Sequence, residues 1–171
     1  VIYIGDENEG YTAAHMAGID EMAANLGLSD DQIIEKTTIP EDESCYDAAV
    51  DLADQGCNII FATSFGHETY ILQAAQEYPD IQFCHATGYQ AASSGLSNMH
   101  NYFDAIYEAR YVSGVVAGMK LNEMIANGDI TEDQAKMGYV GAYTYAEVIS
   151  GYTSYFLGAR SVCPSATMEV T

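Results

Sequence analysis

The amino-acid sequence predicts an α/β fold: a doubly wound parallel sheet, followed by the start of a second, similar lobe. Two observations lead there. Short apolar runs alternate with amphipathic stretches across the first hundred residues, and the connections between them are short. That alternation implies parallel strands, right-handed crossovers and helices on both faces. Beyond residue 104 a long helix and a fresh strand–helix–strand pattern follow.

Taken in order, Val1–Gly5 (VIYIG) reads as a short apolar strand. Thr12–Leu26 places Met16, Ile19, Met22, Ala23 and Leu26 at helical spacing, with Gly27 as the expected C-cap. Gln32–Ile39 alternates weakly, is rich in Ile and Thr, and is expected to be a strand ended by Pro40. Glu41–Gln55 is an amphipathic helix with Cys45, Ala48, Ala49, Leu52 and Ala53 inward. Its acids Glu41, Asp42 and Glu43 suit a helix N-terminus. Asn58–Thr63 (NIIFAT) reads as a buried strand, and Glu68–Tyr78 as a helix that stops before Pro79. Ile81–Ala86 and a short Met99–Phe103 complete five expected strands. The long helix Ala105–Asn127, a polar loop over Gly128–Gln134, and the elements Met137–Ala142, Ala146–Arg160 and Thr167–Val170 follow. The lobe boundary is expected near Phe103–Asp104, giving units of residues 1–103 and 104–171. Gly114 and Gly118 form a GxxxG on the long helix, which predicts close helix packing.

Composition narrows the function. Five basic residues stand against 25 acidic ones, a formal net charge of −20. Lys36 is the only basic residue before Arg110. Phosphate contacts need Lys and Arg, so nucleic acid and anionic lipid are disfavoured as partners. Cys45, Cys57, Cys84 and Cys163 form no CxxC pair, so neither a zinc knuckle nor a thioredoxin-like motif is expected. Cys45 and Cys84 read as small core residues. No run approaches the ~20 apolar residues of a membrane span, and no leader peptide is visible. A chain that opens on a strand and stops just after a second lobe begins is expected to be a fragment, one that self-associates through uncovered apolar helices.

In open parallel sheets, ligands bind beyond the carboxyl ends of the strands. The five such ends here are Gly5–Tyr11, Thr63–His67, Ala86–Tyr89, Tyr102–Asp104 and Ala142–Tyr145. Tyrosine recurs among them, in a chain with 14 Tyr and no Trp. Aromatic rings suit a flat ligand such as a base, or the face of a sugar. The candidate ligand-binding residues are Asn8, Tyr11, Ser64, Phe65, His67, Asp104 and Tyr143. No catalytic residue, metal site or cofactor is expected. Gly5–Gly10 (GDENEG) is not GxGxxG, and no GxxxxGK[ST] occurs. Asp6, Asn8 and Gly10 resemble the start of an EF-hand loop, but Gly falls one position early and Ala17 stands where the closing Glu belongs. His15, His67, His85 and His100 lack HxxxH or HExxH spacing, and no GxSxG elbow makes Ser64 a nucleophile.

Several segments together resemble one family. Tyr11 and Gly18 match an aromatic residue and a glycine at the family's first turn, while Thr12 and Ala13 replace its Asn-Asp pair. Phe103, Glu108, Gly114 and Gly118 match its strand-to-helix crossover. Tyr139-Val140-Gly141 and the helix after it match its second-lobe opening. On these residues the chain resembles the BMP (basic membrane protein) group of substrate-binding lipoproteins that serve ABC importers. The resemblance implies a type I periplasmic-binding-protein fold, with two α/β lobes closing by a hinge near Asp104 on a small solute, in characterised members a purine nucleoside. It also implies an ABC permease as partner and a lipid-anchored or periplasmic location outside the cell membrane, the anchor lying outside this chain. A cytoplasmic ligand-sensing regulator on the same fold is the first alternative. An enzyme processing nucleosides or sugars is the second.

Overall fold

A computed structural model describes residues 1–171. The chain forms two compact units, Val1–Phe103 and Asp104–Thr171.

The first unit holds helices α1 (Gly10–Leu26) and α2 (Glu43–Asp54), strand β1 (Ile59–Ala62), helix α3 (Glu68–Glu77), strand β2 (Gln82–Ala86), a short helix α4 (Ala91–Ser94) and strand β3 (Met99–Tyr102). The strands pair in parallel in the order β1-β2-β3. Of the five strands expected from the sequence, these three are regular. The first two shrink to isolated parallel bridges, Ile2 to Lys36 and Ile2 to Ala62. The reason is local: a 3-10 turn at Asp30–Gln32 consumes the start of the second segment, and Thr38 at φ 56 bends its end. Residues 1–5 still lie between residues 36–39 and β1. Ile2 N donates to Phe61 O at 2.8 Å, Tyr3 N to Lys36 O at 2.8 Å and Ile39 N to Tyr3 O at 3.0 Å. The first extended segment therefore sits inside the second, as in doubly wound sheets that reverse direction there.

Period-two alternation sorts each strand onto two faces. On one face Ile60, Phe83 and Met99 stand side by side in register, all buried, against α2 and α3. Cys45, Ala48, Ala49 and Leu52 of α2, with Ile71, Ala74 and Ala75 of α3, close that core. The next row on the same face is Ala62, His85 and Asn101, so the core turns polar toward the carboxyl ends. The opposite face carries Ile59 and Phe61, which line a half-open groove of about 440 Å³ with Ile19 and Met22 of α1.

Caps set the helix ends. Asp42 accepts Ser44 N at the start of α2, and Gly27 ends α1 in the left-handed conformation that glycine adopts readily. The four cysteines are free thiols. No helix is long and apolar enough to cross a membrane.

The second unit comprises α5 (Ile106–Ala126), β4 (Lys136–Tyr139), α6 (Ala146–Val162) and β5 (Thr167–Val170), with β4 and β5 parallel. Helices α5 and α6 touch through their backbones. A methyl group added at Gly114 would land on the carbonyl of Tyr155, one at Gly118 on that of Ala159, and one at Gly158 on that of Tyr111. Asn122 Nδ2 reinforces the pair by donating to Val162 O at 2.8 Å.

Overpacking of this kind costs about 1–3 kcal/mol. Gly114→Ala is expected to lower stability by that amount in urea unfolding. Gly138→Ala, where an added methyl meets nothing, is expected to change it little. Equal midpoints for the two variants would contradict the close contact.

Candidate functional site

The carboxyl ends of β1, β2 and β3 gather the candidate residues of the first unit. Glu9 caps α1, accepting Tyr11 N at 2.8 Å and Thr12 N at 2.7 Å, and these bonds hold its carboxyl below the usual range. Thr12 is buried and its Oγ1 accepts Gly5 N at 3.2 Å. The start of α1 is thus tied to the end of the first extended segment. Tyr11 then reaches across to β1, where its hydroxyl donates to Thr63 O at 2.6 Å. Its ring meets His15 edge-on at 4.5 Å and is 42% exposed. Asn8 lies in the preceding turn, and both its backbone N and its Nδ2 donate to Asp6 Oδ1. That is an Asx-turn, which orders the loop locally.

After β1, Ser64 Oγ donates to Glu41 at 2.5 Å and Gly66 N donates to the same oxygen at 2.8 Å. Bonding to Ser64 is the largest influence holding the Glu41 carboxyl below its ordinary value. Phe65 begins a 3-10 turn, and its ring lies 6.5 Å from that of Tyr89, tilted by 33°. His67 occupies the interior: it has no exposed surface, and Nε2 donates to Ile39 O at 3.0 Å while Nδ1 has no hydrogen-bond partner. His85 is equally buried and donates from Nε2 to Ser64 O at 2.7 Å. Burial lowers the pKa of both rings. His67 is therefore a strut between the β1 turn and the segment before Pro40.

Asp104 and Tyr143 belong to the second unit. Asp104 Oδ1 accepts Ala105 N at 2.7 Å and its carbonyl accepts Ile106 N at 2.8 Å, which starts α5. Tyr143 sits in the connection from β4 to α6 and is 57% exposed.

The sequence reading did not single out Glu68, Glu41, His85 or Asn101, and named Tyr89 only as a loop end. Glu68 is 3% exposed and opens α3. Its Oε1 accepts Tyr89 N and Gln90 N at 2.7 Å each and Asn101 Nδ2 at 2.9 Å, and its Oε2 accepts Gln90 Nε2 at 3.1 Å. In the sequence Glu68 is simply an acid in a helix's first turn, which the helix dipole explains on its own. The small pair Thr87-Gly88 was the one visible hint of a tight turn beside it.

Comparison with known proteins bears on the family and the fold. A family model described as Bmp, ABC transporter substrate-binding protein PnrA-like, matches residues 4–171. A purine-binding protein of Brucella abortus is 34% identical over 173 residues, which is 99% of this chain and 44% of the relative. A putative ABC transporter glucose-binding protein of Haloferax volcanii is 39% identical over 113 residues, 66% of this chain and 25% of the relative. The chain thus spans less than half the length of these relatives. An ABC transporter solute-binding protein from Conexibacter woesei superposes with a TM-score of 0.67 at 20% identity, over 99% of this chain and 52% of that one. A transcriptional activator of the comK gene from Bacillus halodurans superposes with a TM-score of 0.61 at 19% identity, over 99% of this chain and 51% of that one. At such identities the two structures speak for the fold alone.

Burial of His67 has a measurable consequence. Its folded pKa is lowered, so between the two values the unfolded chain binds more protons and stability rises with pH. The contribution is complete above the unfolded value of about 6.5 and is lost as pH falls through and below it. His67→Gln keeps a donor near Ile39 O without the titration. Its urea midpoint is expected to fall less than that of the parent between about pH 7.5 and 5.5. Parallel curves would show that His67 is not held neutral.

Proposed function

We propose that this chain, which belongs to the Bmp family of PnrA-like ABC transporter substrate-binding proteins, captures a small, flat, nucleoside-like solute for an ABC importer. One observation carries the reading. Tyr11 in the first turn of α1, Phe65 in the 3-10 turn after β1 and Tyr89 in the loop after β2 stand toward the carboxyl end of one parallel sheet, the place where such sheets hold ligands. Aromatic faces bind flat rings by stacking and tolerate different bases, because every base has a π-face. The purine-binding name of the Brucella relative supports a purine-containing solute. Capture and release, with a permease as the receiving partner, is the role this supports. We place it on the outer side of the cell membrane, lipid-anchored or periplasmic.

A sugar is the second reading, favoured by the name of the Haloferax relative. Aromatic rings also carry sugar faces. A thermal-shift and calorimetric screen of the full-length protein with nucleosides, free bases and glucose separates the two. A ligand that binds only the folded state raises the melting point by mass action. Nucleosides are expected to do so. A response to glucose alone would replace the first reading with the second, and silence across the panel would remove both.

Tyr11→Ala is expected to weaken nucleoside binding by about 1–3 kcal/mol, the range for base–aromatic stacking. Unchanged affinity in calorimetry would take Tyr11 out of the solute face. Self-association of the 171-residue chain is proposed through α5, where Val112, Val116 and Met119 form an exposed apolar stripe at helical spacing. Light scattering that shows a stable monomer at high concentration would remove that part.

A further inference from the structure

We propose that Glu68 is a positioning residue of the solute face: through its carboxylate it holds the loop after β2 so that the Tyr89 ring stands beside Phe65. This rests on the reading of the strand ends as the solute face, and it adds a residue that itself touches no solute.

Glu68 lies three residues after Phe65, at the end of the same 3-10 turn. Its side chain is bonded to the amides of Tyr89 and Gln90 and to the Gln90 side chain. One residue thus shares a backbone turn with the first ring and hydrogen bonds with the loop that carries the second. Its length sets how far the two rings stand apart.

The loop does not hold this position unaided. Thr87 has φ 71, a left-handed conformation that is rare for a β-branched residue, and its Oγ1 is buried without a hydrogen-bond partner. Such conformations persist where the surroundings over-determine them. Gly88 is the reason the carboxylate can approach: a methyl group there would collide with the Glu68 carboxylate and the His85 ring. Asn101 closes the arrangement from β3, giving Nδ2 to Glu68 and accepting Ala91 N at Oδ1 at 2.8 Å, so the start of α4 is tied in as well.

The test uses the full-length protein with Glu68→Gln, Tyr89→Ala and the double variant, and adenosine and guanosine as probes. Gln keeps the shape but turns an amide toward N–H donors. Glu68→Gln is expected to weaken the nucleoside that the parent binds by roughly tenfold, and Tyr89→Ala to weaken it as well. The double variant is expected to be no weaker than Tyr89→Ala alone, because both changes remove one contact. Amide hydrogen exchange without ligand is expected to speed up at Tyr89 and Gln90 while the β1–β3 amides keep the parent rates. If Glu68→Gln does not fold, Gln90→Ala removes a single donor and is expected to show the same pattern at smaller size. Parent-like binding, strictly additive losses, or unchanged exchange at Tyr89 and Gln90 would each overturn the proposal. A parent that binds neither probe fails the solute reading instead, and the exchange data then decide alone whether Glu68 anchors the loop.

Discussion

A buried carboxylate without a cation organises the upper end of the first sheet. Desolvating an acidic group is costly unless it is paired or hydrogen-bonded. The first unit has one basic side chain, Lys36, and Asp51 occupies it at 2.5 Å. Glu68 is therefore satisfied by N–H groups alone, and they must come from three places at once: the loop after β2, the Gln90 side chain and Asn101. Meeting that demand draws the ends of β2 and β3 and the start of α3 together. The apolar row Ile60, Phe83 and Met99 below supplies burial. The polar row above it supplies register, because a one-residue slip would turn His85 or Asn101 to the opposite face of the sheet.

The second unit achieves its packing by the opposite route. Where the first unit interlocks side chains, α5 and α6 approach until backbone meets backbone at Gly114, Gly118 and Gly158. Small residues here replace area with proximity, and the Asn122–Val162 bond fixes the sliding register. The outer side of α5 is left to Val112, Val116 and Met119.

Much of the fold was readable in the sequence. Helix periods, the Gly27 cap, the stop before Pro79 and the last three strands of the first unit are consequences of local pattern, and local pattern is what a sequence displays. The first two strands were over-read, because an apolar run at Val1–Gly5 and weak alternation over Gln32–Ile39 say nothing of the turns that trim their pairing to single bridges. The strand ends were also legible, with Tyr11 and Phe65 in the turns that follow them. What each side chain does there was not. His67 was expected as a ligand contact after Phe65-Gly66 and instead is buried, with Nε2 donating to Ile39 O. Asn8 and Ser64 spend their polar groups on Asp6 and Glu41. Such pairings join residues many positions apart, as with Glu68 and Asn101, and spacing along the chain does not encode them.

The Glu68 cradle also bears on which solutes are turned away. Consecutive backbone amides at a strand end are the usual grip for a phosphate. Here the amides of Tyr89 and Gln90 already hold an internal anion. A phosphorylated solute would have to evict a carboxylate from its own donors, within a unit in which Lys36 is the only Lys or Arg among many acids. On the proposed reading of this face as the solute site, nucleosides would be favoured over nucleotides: uncharged molecules would meet rings, and charged phosphoesters a seat already taken.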